Sequence, residues 1–183
     1  MRNKCMQVLY IFLFCLWAAL INGCASLSEN ECRQANWYDI GFSDGLKGYG
    51  ADYVFQHRDA CAKYGISVNR PEYTRGYNDG LKQYCIPSNG YAVGVQGKSY
   101  NGVCKGPEAD AFFRMYLKGK HEYEIEKRLG EINAEMEEID SILIDAKTDK
   151  EERKNLLSRR RELELERTQL LVEKEMKNRR GDG

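Results

Sequence analysis

A twelve-residue pattern that occurs twice limits what this chain can fold into. Residues 38–49 return 35 positions later as residues 73–84, with seven of the twelve residues identical. A helix-start signal precedes each copy, Ser28-x-x-Glu31 before the first and Asn69-x-x-Glu72 before the second. A repeat of this kind marks one structural unit used twice. We therefore predict that both copies are helical.

The repeated glycines predict close contact between these helices. On a helix, a tyrosine and two glycines share one face in each copy: Tyr38, Gly41 and Gly45, then Tyr73, Gly76 and Gly80. A glycine inside a helix costs about 1 kcal/mol relative to alanine, so this spacing indicates that another backbone must come near. Glycines four residues apart are best known from helix pairs in membranes. Here the simplest partner of each copy is the other copy.

The repeat also carries one aspartate in each copy, Asp44 and Asp79. Because the glycine face is expected to pack, we expect these carboxylates to point to solvent. The alternative is a ligand site, with the two carboxylates acting as a pair beside Tyr38 and Tyr73.

Four cysteines are available for structural bonds once the amino-terminal segment is set aside: Cys32, Cys61, Cys85 and Cys104. An even set in an exported chain indicates two disulfides, for which three pairings exist. We favour Cys32 with Cys61 and Cys85 with Cys104, since neighbours in sequence close the smaller loops. Zinc is the alternative, but the chain lacks Cys-x-x-Cys and the cysteine spacings fit no ordinary finger. We expect no metal and no other cofactor.

The first 23 residues resemble a bacterial lipoprotein signal peptide. Arg2 and Lys4 precede an apolar run over residues 6–21, which is short for a bilayer span, and Ile21-Asn22-Gly23 leads to Cys24. The resemblance implies cleavage before Cys24 and lipidation of that cysteine, with the membrane as its partner. An uncleaved anchor helix or an ordinary secretory signal is the alternative.

The residue after the lipidated cysteine bears on the destination. In enterobacterial lipoproteins an aspartate there causes retention in the inner membrane, and this chain has Ala25. The resemblance therefore implies a lipid anchor in the outer membrane, with the inner leaflet facing the periplasm favoured over the cell surface.

The composition changes near residue 106 and divides the remaining chain into a segment 24–106, rich in cysteine, glycine and tyrosine, and a segment 107–183. In the second segment 37 of 77 residues are charged. Apolar residues there follow a heptad seam: Ile125, Leu129, Ile132, Met136, Ile139, Leu143 and Ala146. A new stripe follows at Leu156, Leu163 and Leu170.

These stripes predict an antiparallel helical hairpin with arms at 111–146 and 149–178. The alternative is one long helix that forms a coiled coil with another subunit. A protein partner or a second copy would bind through residues 122–178. The predicted fold is thus mainly α: a small disulfide-stapled domain of repeat helices, followed by a long hairpin or coiled coil.

Two weaker patterns complete the first segment. Residues 52–63 predict a shorter helix that carries His57 and Cys61 one turn apart. Residues 91–104 are a degenerate third echo of the repeat, for which we predict a short helix followed by a loop.

The recurring glycines, aromatics and cysteines resemble a bacterial lipoprotein family catalogued as domain of unknown function 2799. The resemblance rests on residues 37–49, the His57-x-x-x-Cys61 step, residues 73–85 and the stretch from Asn89 to Cys104. It covers most of residues 27–120. It implies an exported, anchored protein and supplies no catalytic residues.

Charge and motifs exclude several functions. Without the leader the formal charge is about −2, which argues against nucleic-acid binding, and no phosphate-binding Walker loop is present. We therefore favour a lipid-anchored, non-enzymatic envelope protein with a structural or protein-interaction role. The alternative is a module that binds an envelope glycan such as peptidoglycan through the repeated tyrosines and aspartates. A third hypothesis is an enzyme that uses His57, one of only two histidines.

Overall fold

The computed structural model describes residues 26–145 and 149–181, so Cys24 and Ala146 lie outside the described residues. Within these ranges the chain is helical and has no strand, which confirms the mainly α prediction. The described helices are α1 (Glu29–Arg33), α2 (Trp37–Leu46), α3 (Val54–Ala62), α4 (Arg70–Tyr84), α5 (Pro87–Val95), α6 (Pro107–Ile144) and α7 (Lys150–Gly181), with a 3-10 turn at Ala51–Tyr53. No described helix is both long and apolar enough to cross a membrane.

Side chains pair the free amide groups at the start of three helices. Ser28 and Glu31 form a capping box at α1, in which each side chain accepts a hydrogen bond from the other residue's backbone amide. The Oδ1 atom of Asn36 accepts from two amides of α2, and that of Asn69 accepts from an amide in the first turn of α4. The first turn of a helix leaves such amides without a helical partner. The helix start predicted at Asn69 for the second copy is confirmed. Ser28 also starts a helix, but that helix is the separate α1, and the first copy starts at its own cap, Asn36.

Packing divides the described chain after Gly80, inside α4. Residues 26–80 form unit 1 and residues 81–181 form unit 2. The change of composition near residue 106 falls within unit 2, where the charged helix α6 begins and packs against α5.

In unit 1, α2 and α4 cross with their backbones in contact. A Cβ atom added to Gly41 would overlap the carbonyl oxygen of Tyr73, and one added to Gly76 would overlap the carbonyl oxygen of Tyr38. Gly80 meets the backbone of α2 in the same way. The two copies of the repeat therefore pack against each other through their glycines.

A disulfide between Cys32 and Cys61 joins α1 to α3 in unit 1. Both cysteines are buried in an apolar cluster with Leu27 and Ala60. The residues Trp37, Ile40, Tyr64 and Ile66 pack around this cluster. The bond is one of the two favoured from the cysteine spacing.

Unit 2 contains a second crossing of the same kind, between α5 and α6. A Cβ atom on Gly94 would overlap the carbonyl oxygen of Tyr116, and one on Gly119 would overlap that of Tyr91. Gly90 lies in the same contact, against the backbone of α6. The helix of the third echo thus has a glycine-packed partner of its own.

The partner of α5 in this second crossing, on α6, is a fourth copy of the repeat that the sequence analysis missed. Tyr116-x-x-Gly119 matches the first half of the motif, and Gly119 follows Cys104 by 15 residues, as Gly76 follows Cys61. A disulfide joins Cys104 to Cys85, the second favoured pair. The core beside this bond contains Tyr84, Val93, Val103 and Phe112.

In unit 2, α6 and α7 also form the predicted helical hairpin within one chain. The residues that pack between them belong to the two predicted stripes: Ile132, Ile139 and Leu163, which are buried, and Met136, Leu143, Leu156 and Leu170 around them. The first arm begins at Pro107 and not at residue 111, since proline is well suited to the first position of a helix.

Ion pairs line the hairpin and fix the register of its helices. Three arginines each donate two hydrogen bonds to one carboxylate of the other helix: Arg128 to Glu166, Arg159 to Glu135 and Arg160 to Asp140. These hydrogen bonds lower the pKa of all three carboxyl groups. Exposed ion pairs add little stability, so the apolar seam is the main source of hairpin stability.

The glycine contact predicts a large difference between two alanine substitutions. Gly76→Ala would force apart α2 and α4 at a backbone contact and should lower the free energy of unfolding by about 3 kcal/mol. Gly130→Ala is the control, because nothing lies within 4 Å of the added Cβ atom and alanine favours a helix. Urea denaturation followed by circular dichroism measures both effects. Equal changes would contradict the close contact of α2 and α4.

The hairpin predicts different effects at two leucines of α7. Leu163 is fully buried, whereas Leu165 is 65% exposed. Leu163→Ala should destabilise the protein by about 2–5 kcal/mol, since it leaves a cavity in the seam. Leu165→Ala should change stability by no more than about 0.5 kcal/mol. A thermal melt of each variant tests this, and a similar loss in both would mean that the seam is misplaced.

Candidate functional site

The repeated tyrosines and aspartates bond across the crossing of α2 and α4. The hydroxyl of Tyr38 donates to Asp79 at 3.0 Å, and the hydroxyl of Tyr73 donates to Asp44 at 2.8 Å. Each copy of the repeat therefore donates one of these hydrogen bonds to the other copy and accepts the other one. The four residues proposed as a ligand site are thus hydrogen-bonded to one another. Asp79 accepts from Tyr38 and Asp44 accepts from Tyr73, so the two carboxylates have different partners.

The Tyr38–Asp79 bond is at the surface of unit 1. Tyr38 is half-buried, and the Arg75 guanidinium lies over its ring at 4.9 Å from the centroid. The hydrogen bond to Asp79 raises the pKa of Tyr38, so the hydroxyl stays protonated and remains a donor at neutral pH.

The Tyr73–Asp44 bond is buried, which corrects the expectation that Asp44 points to solvent. Asp44 is only 4% exposed. Its side chain lies beside the glycine face of α2, on the side where α3 packs. His57 of α3 is hydrogen-bonded to it. The sequence pattern identified the face that packs on α4 and missed the face that packs on α3.

His57 links this buried carboxylate to the start of the folded chain. Its Nε2 atom lies 2.7 Å from Asp44 Oδ2, and its Nδ1 atom lies 2.9 Å from the hydroxyl oxygen of Ser26. An ionised carboxylate only accepts hydrogen bonds, so Nε2 is the nitrogen suited to donate to Asp44. In the tautomer with the proton on Nε2, the Nδ1 atom can accept from the Ser26 hydroxyl. We call Ser26, Asp44, His57 and Tyr73 the polar cluster.

Aromatic rings enclose the polar cluster. The His57 ring, which is 3% exposed, meets the ring of Tyr53 edge-on at 5.1 Å and that of Tyr73 at 6.0 Å. Burial, and then the hydrogen bond to Asp44, raises the pKa of Tyr73 well above its usual value. No buried side-chain nitrogen or oxygen of the described residues lacks a hydrogen-bond partner. The cluster is therefore fully satisfied, as buried polar groups need to be.

The order of Ser26, His57 and Asp44 is that of the relay in serine hydrolases, where aspartate orients a histidine that takes a proton from serine. Here the ring nitrogens are exchanged, with Asp44 on Nε2 and Ser26 on Nδ1. The bonds can orient the Ser26 hydroxyl and hold the ring in one tautomer. Among the described residues, no group of three or more histidine, cysteine, aspartate or glutamate side chains is placed to hold a metal ion.

Unit 2 builds the same helix crossing without such a cluster. The glycines that make the same contacts in the two crossings are Gly41 and Gly94, and Gly76 and Gly119. Aligning the sequence on these pairs places Gly97 at the position of Asp44 and Tyr100 at the position of His57. Gly97 has no side chain, and Tyr100 packs against the core with Phe112. A glycine-packed helix pair therefore does not need a buried aspartate and histidine, which makes the polar cluster the candidate functional site of unit 1.

Other residues singled out in the sequence lie elsewhere. His121 belongs to the hairpin, where its Nε2 atom lies 2.8 Å from Glu173. Cys24 lies outside the described residues. Ser26 was not selected from the sequence, because a contact across 31 residues leaves no local pattern.

The two tyrosine–aspartate bonds predict unequal effects of removing the carboxylate. Asp44→Ala leaves the Tyr73 hydroxyl and the Nε2 atom of His57 without a partner in a buried site and should lower the free energy of unfolding by about 2–4 kcal/mol. Asp79→Ala removes the matching bond near the surface and should cost less than about 1 kcal/mol. Urea denaturation at neutral pH compares them. An equal loss would show that the polar cluster adds nothing to the repeat contact.

Comparison with known proteins finds a family model and a relative that are similar to the repeat region. The family model described as "Protein of unknown function (DUF2799)" matches residues 36–121, a range that begins just before α2 and ends after Gly119 in α6. "Uncharacterized protein YfiL" of Escherichia coli (strain K12) is 29% identical over 115 residues, which cover 61% of this chain and 90% of that protein. No solved structure matches. The resemblance predicted from the repeated motif is confirmed, because residues 36–121 match the model of this family of unknown function.

Proposed function

We propose that this protein is an envelope lipoprotein held to the membrane through Cys24, with a structural or protein-interaction role. The observation that carries the proposal is that the fold begins directly after the proposed anchor. Ser26 is bonded to His57, and Leu27 is buried in the disulfide cluster of unit 1. Residues that would form a flexible tether in another lipoprotein are part of the folded core here.

The short distance to the anchor has a mechanical consequence. Two residue steps separate Cys24 from Ser26, and an extended chain spans at most about 3.6 Å per residue. If Cys24 carries lipid, the Cα atom of Ser26 at the start of unit 1 is thus within about 7 Å of the Cα atom of the lipidated residue. Several acyl chains give a stable anchor where one does not. The polar cluster then acts as the clamp that fixes the chain next to the lipid.

Two further features support an envelope location. Both pairs of cysteines form disulfides, which persist in oxidising compartments such as the bacterial periplasm. Ala25 supports the outer membrane by resemblance to enterobacterial lipoproteins. We propose the inner leaflet, facing the periplasm.

The hairpin is the proposed surface for a protein partner or a second copy. At 1.5 Å per residue α6 is about 57 Å long and α7 about 48 Å. Leu165, Val172 and Met176 are at least half exposed and lie on the side of α7 opposite Leu163. A second apolar stripe on a helix that already has one partner is suited to another helix.

The other two hypotheses are less well supported by the geometry. Glycan binding through the repeated tyrosines and aspartates would require these groups to leave the hydrogen bonds that join α2 to α4. An enzyme that uses His57 would have Ser26 as its nucleophile, and its histidine would have to act while 97% covered. A structural clamp needs neither change.

Metabolic labelling with palmitate tests the proposal. We expect label in the wild-type protein and none in Cys24→Ser, with the wild type in the outer-membrane fraction. Ser26→Ala is the matched control: it keeps the cysteine, removes the hydroxyl bonded to His57 and should stay labelled. Label that persists in Cys24→Ser, or a purified protein whose leader is still attached, would overturn the proposed anchor.

A further inference from the structure

Unit 1 has a cavity of about 370 Å³ on the outer side of α3. It lies between α3 and the chain at residues 65–70. Its apolar walls include Val54, Ile66 and Val68, and the side chains of Arg58 and Arg70 also line it. Ligand sites of this size are typically apolar with a few polar groups that set the orientation of the ligand.

One aromatic ring holds both arginines of this cavity. The guanidinium carbons of Arg58 and Arg70 lie 5.0 and 5.3 Å from the ring centroid of Phe55, which is 39% exposed. The two cations are therefore no more than about 10 Å apart. Cation–π contacts fix the positions of the guanidinium groups without neutralising them.

The charge around the cavity is positive. Residues 54–70 contain three basic side chains and one acidic side chain, Asp59. Asp59 pairs with Arg58 at 2.8 Å, but both side chains are more than half exposed, so solvent screens the pair. Two nearby guanidinium groups over apolar walls match an anion that carries an apolar portion. The planar guanidinium fork is especially suited to phosphate.

We propose that this cavity binds the headgroup of an anionic phospholipid in the leaflet that holds the acyl chains of Cys24. The phosphate lies between Arg58 and Arg70, and the glycerol and first methylene groups contact Val54, Ile66 and Val68. The choice of a membrane lipid rests on the proposed anchor, because Ser26 and Leu27 belong to the same unit and keep it at the leaflet. Lipid on Cys24 would raise the local concentration of headgroups at the cavity.

Vesicle binding by the mature chain carrying Cys24→Ser, which has no acyl groups, tests the proposal. We expect it to sediment with vesicles of phosphatidylcholine and phosphatidylglycerol and not with phosphatidylcholine alone. Arg58→Ala/Arg70→Ala should lower the partition coefficient by about tenfold or more, since each basic residue at an anionic surface adds severalfold. Phe55→Ala should weaken binding too, because it releases both guanidinium groups while keeping the charge.

Arg33→Ala/Lys47→Ala is the matched control. It removes the same charge from exposed positions of unit 1 outside the cavity and should lower binding by less than about threefold. No binding by the Cys24→Ser chain, or equal losses in the two double variants, would overturn the proposal. If inorganic phosphate at the same concentration as the lipid phosphate released all of the protein from the vesicles, the cavity would bind free phosphate, and the assignment to a membrane lipid would be wrong. Palmitate labelling of Cys24 is independent of this result, so failure of the lipid site and failure of the anchor are distinguishable.

Discussion

Contact between two helix backbones at paired glycines is the constraint on which the rest of unit 1 depends. Any side chain at Gly41 or Gly76 would occupy the place of a carbonyl oxygen of the other helix. Once the helices are this close, the hydroxyls of Tyr38 and Tyr73 reach the opposite aspartates. The repeat therefore encodes the contact and the hydrogen bonds across it. The disulfide Cys32–Cys61 joins α1 to α3, and Trp37 and Ile40 of α2 pack around it.

Comparing the two helix crossings shows which residues the glycine contact requires and which polar residues occur in unit 1 alone. Both crossings use glycines and a disulfide, but Gly97 and Tyr100 replace the aspartate and histidine in unit 2. Buried polar groups are costly unless every partner is present. The buried aspartate and histidine occur only in unit 1, which begins next to Cys24. This supports their proposed role in holding the start of the folded chain in place.

Short-range patterns made much of the architecture predictable from the sequence. The capping residues Ser28 and Asn69 and the hairpin stripes depend on spacings of three to seven residues. The cysteine pairs followed from loop size. The burial of Asp44 depends on α3, which no spacing within α2 indicates, and Ser26 meets His57 across 31 residues. The fourth copy at Tyr116 and Gly119 was missed because its second glycine is replaced by Tyr123.

The closeness of α2 and α4 can be measured directly by nuclear Overhauser spectroscopy on the mature chain carrying Cys24→Ser. The Cβ positions at Gly41 and Gly76 lie 3.0 Å from the backbone nitrogens of Tyr77 and Phe42, respectively. The account predicts strong cross-peaks from the α-protons of each glycine to the amide proton of that residue on the opposite helix. Spectra in which both glycines contact only their own helix would contradict it.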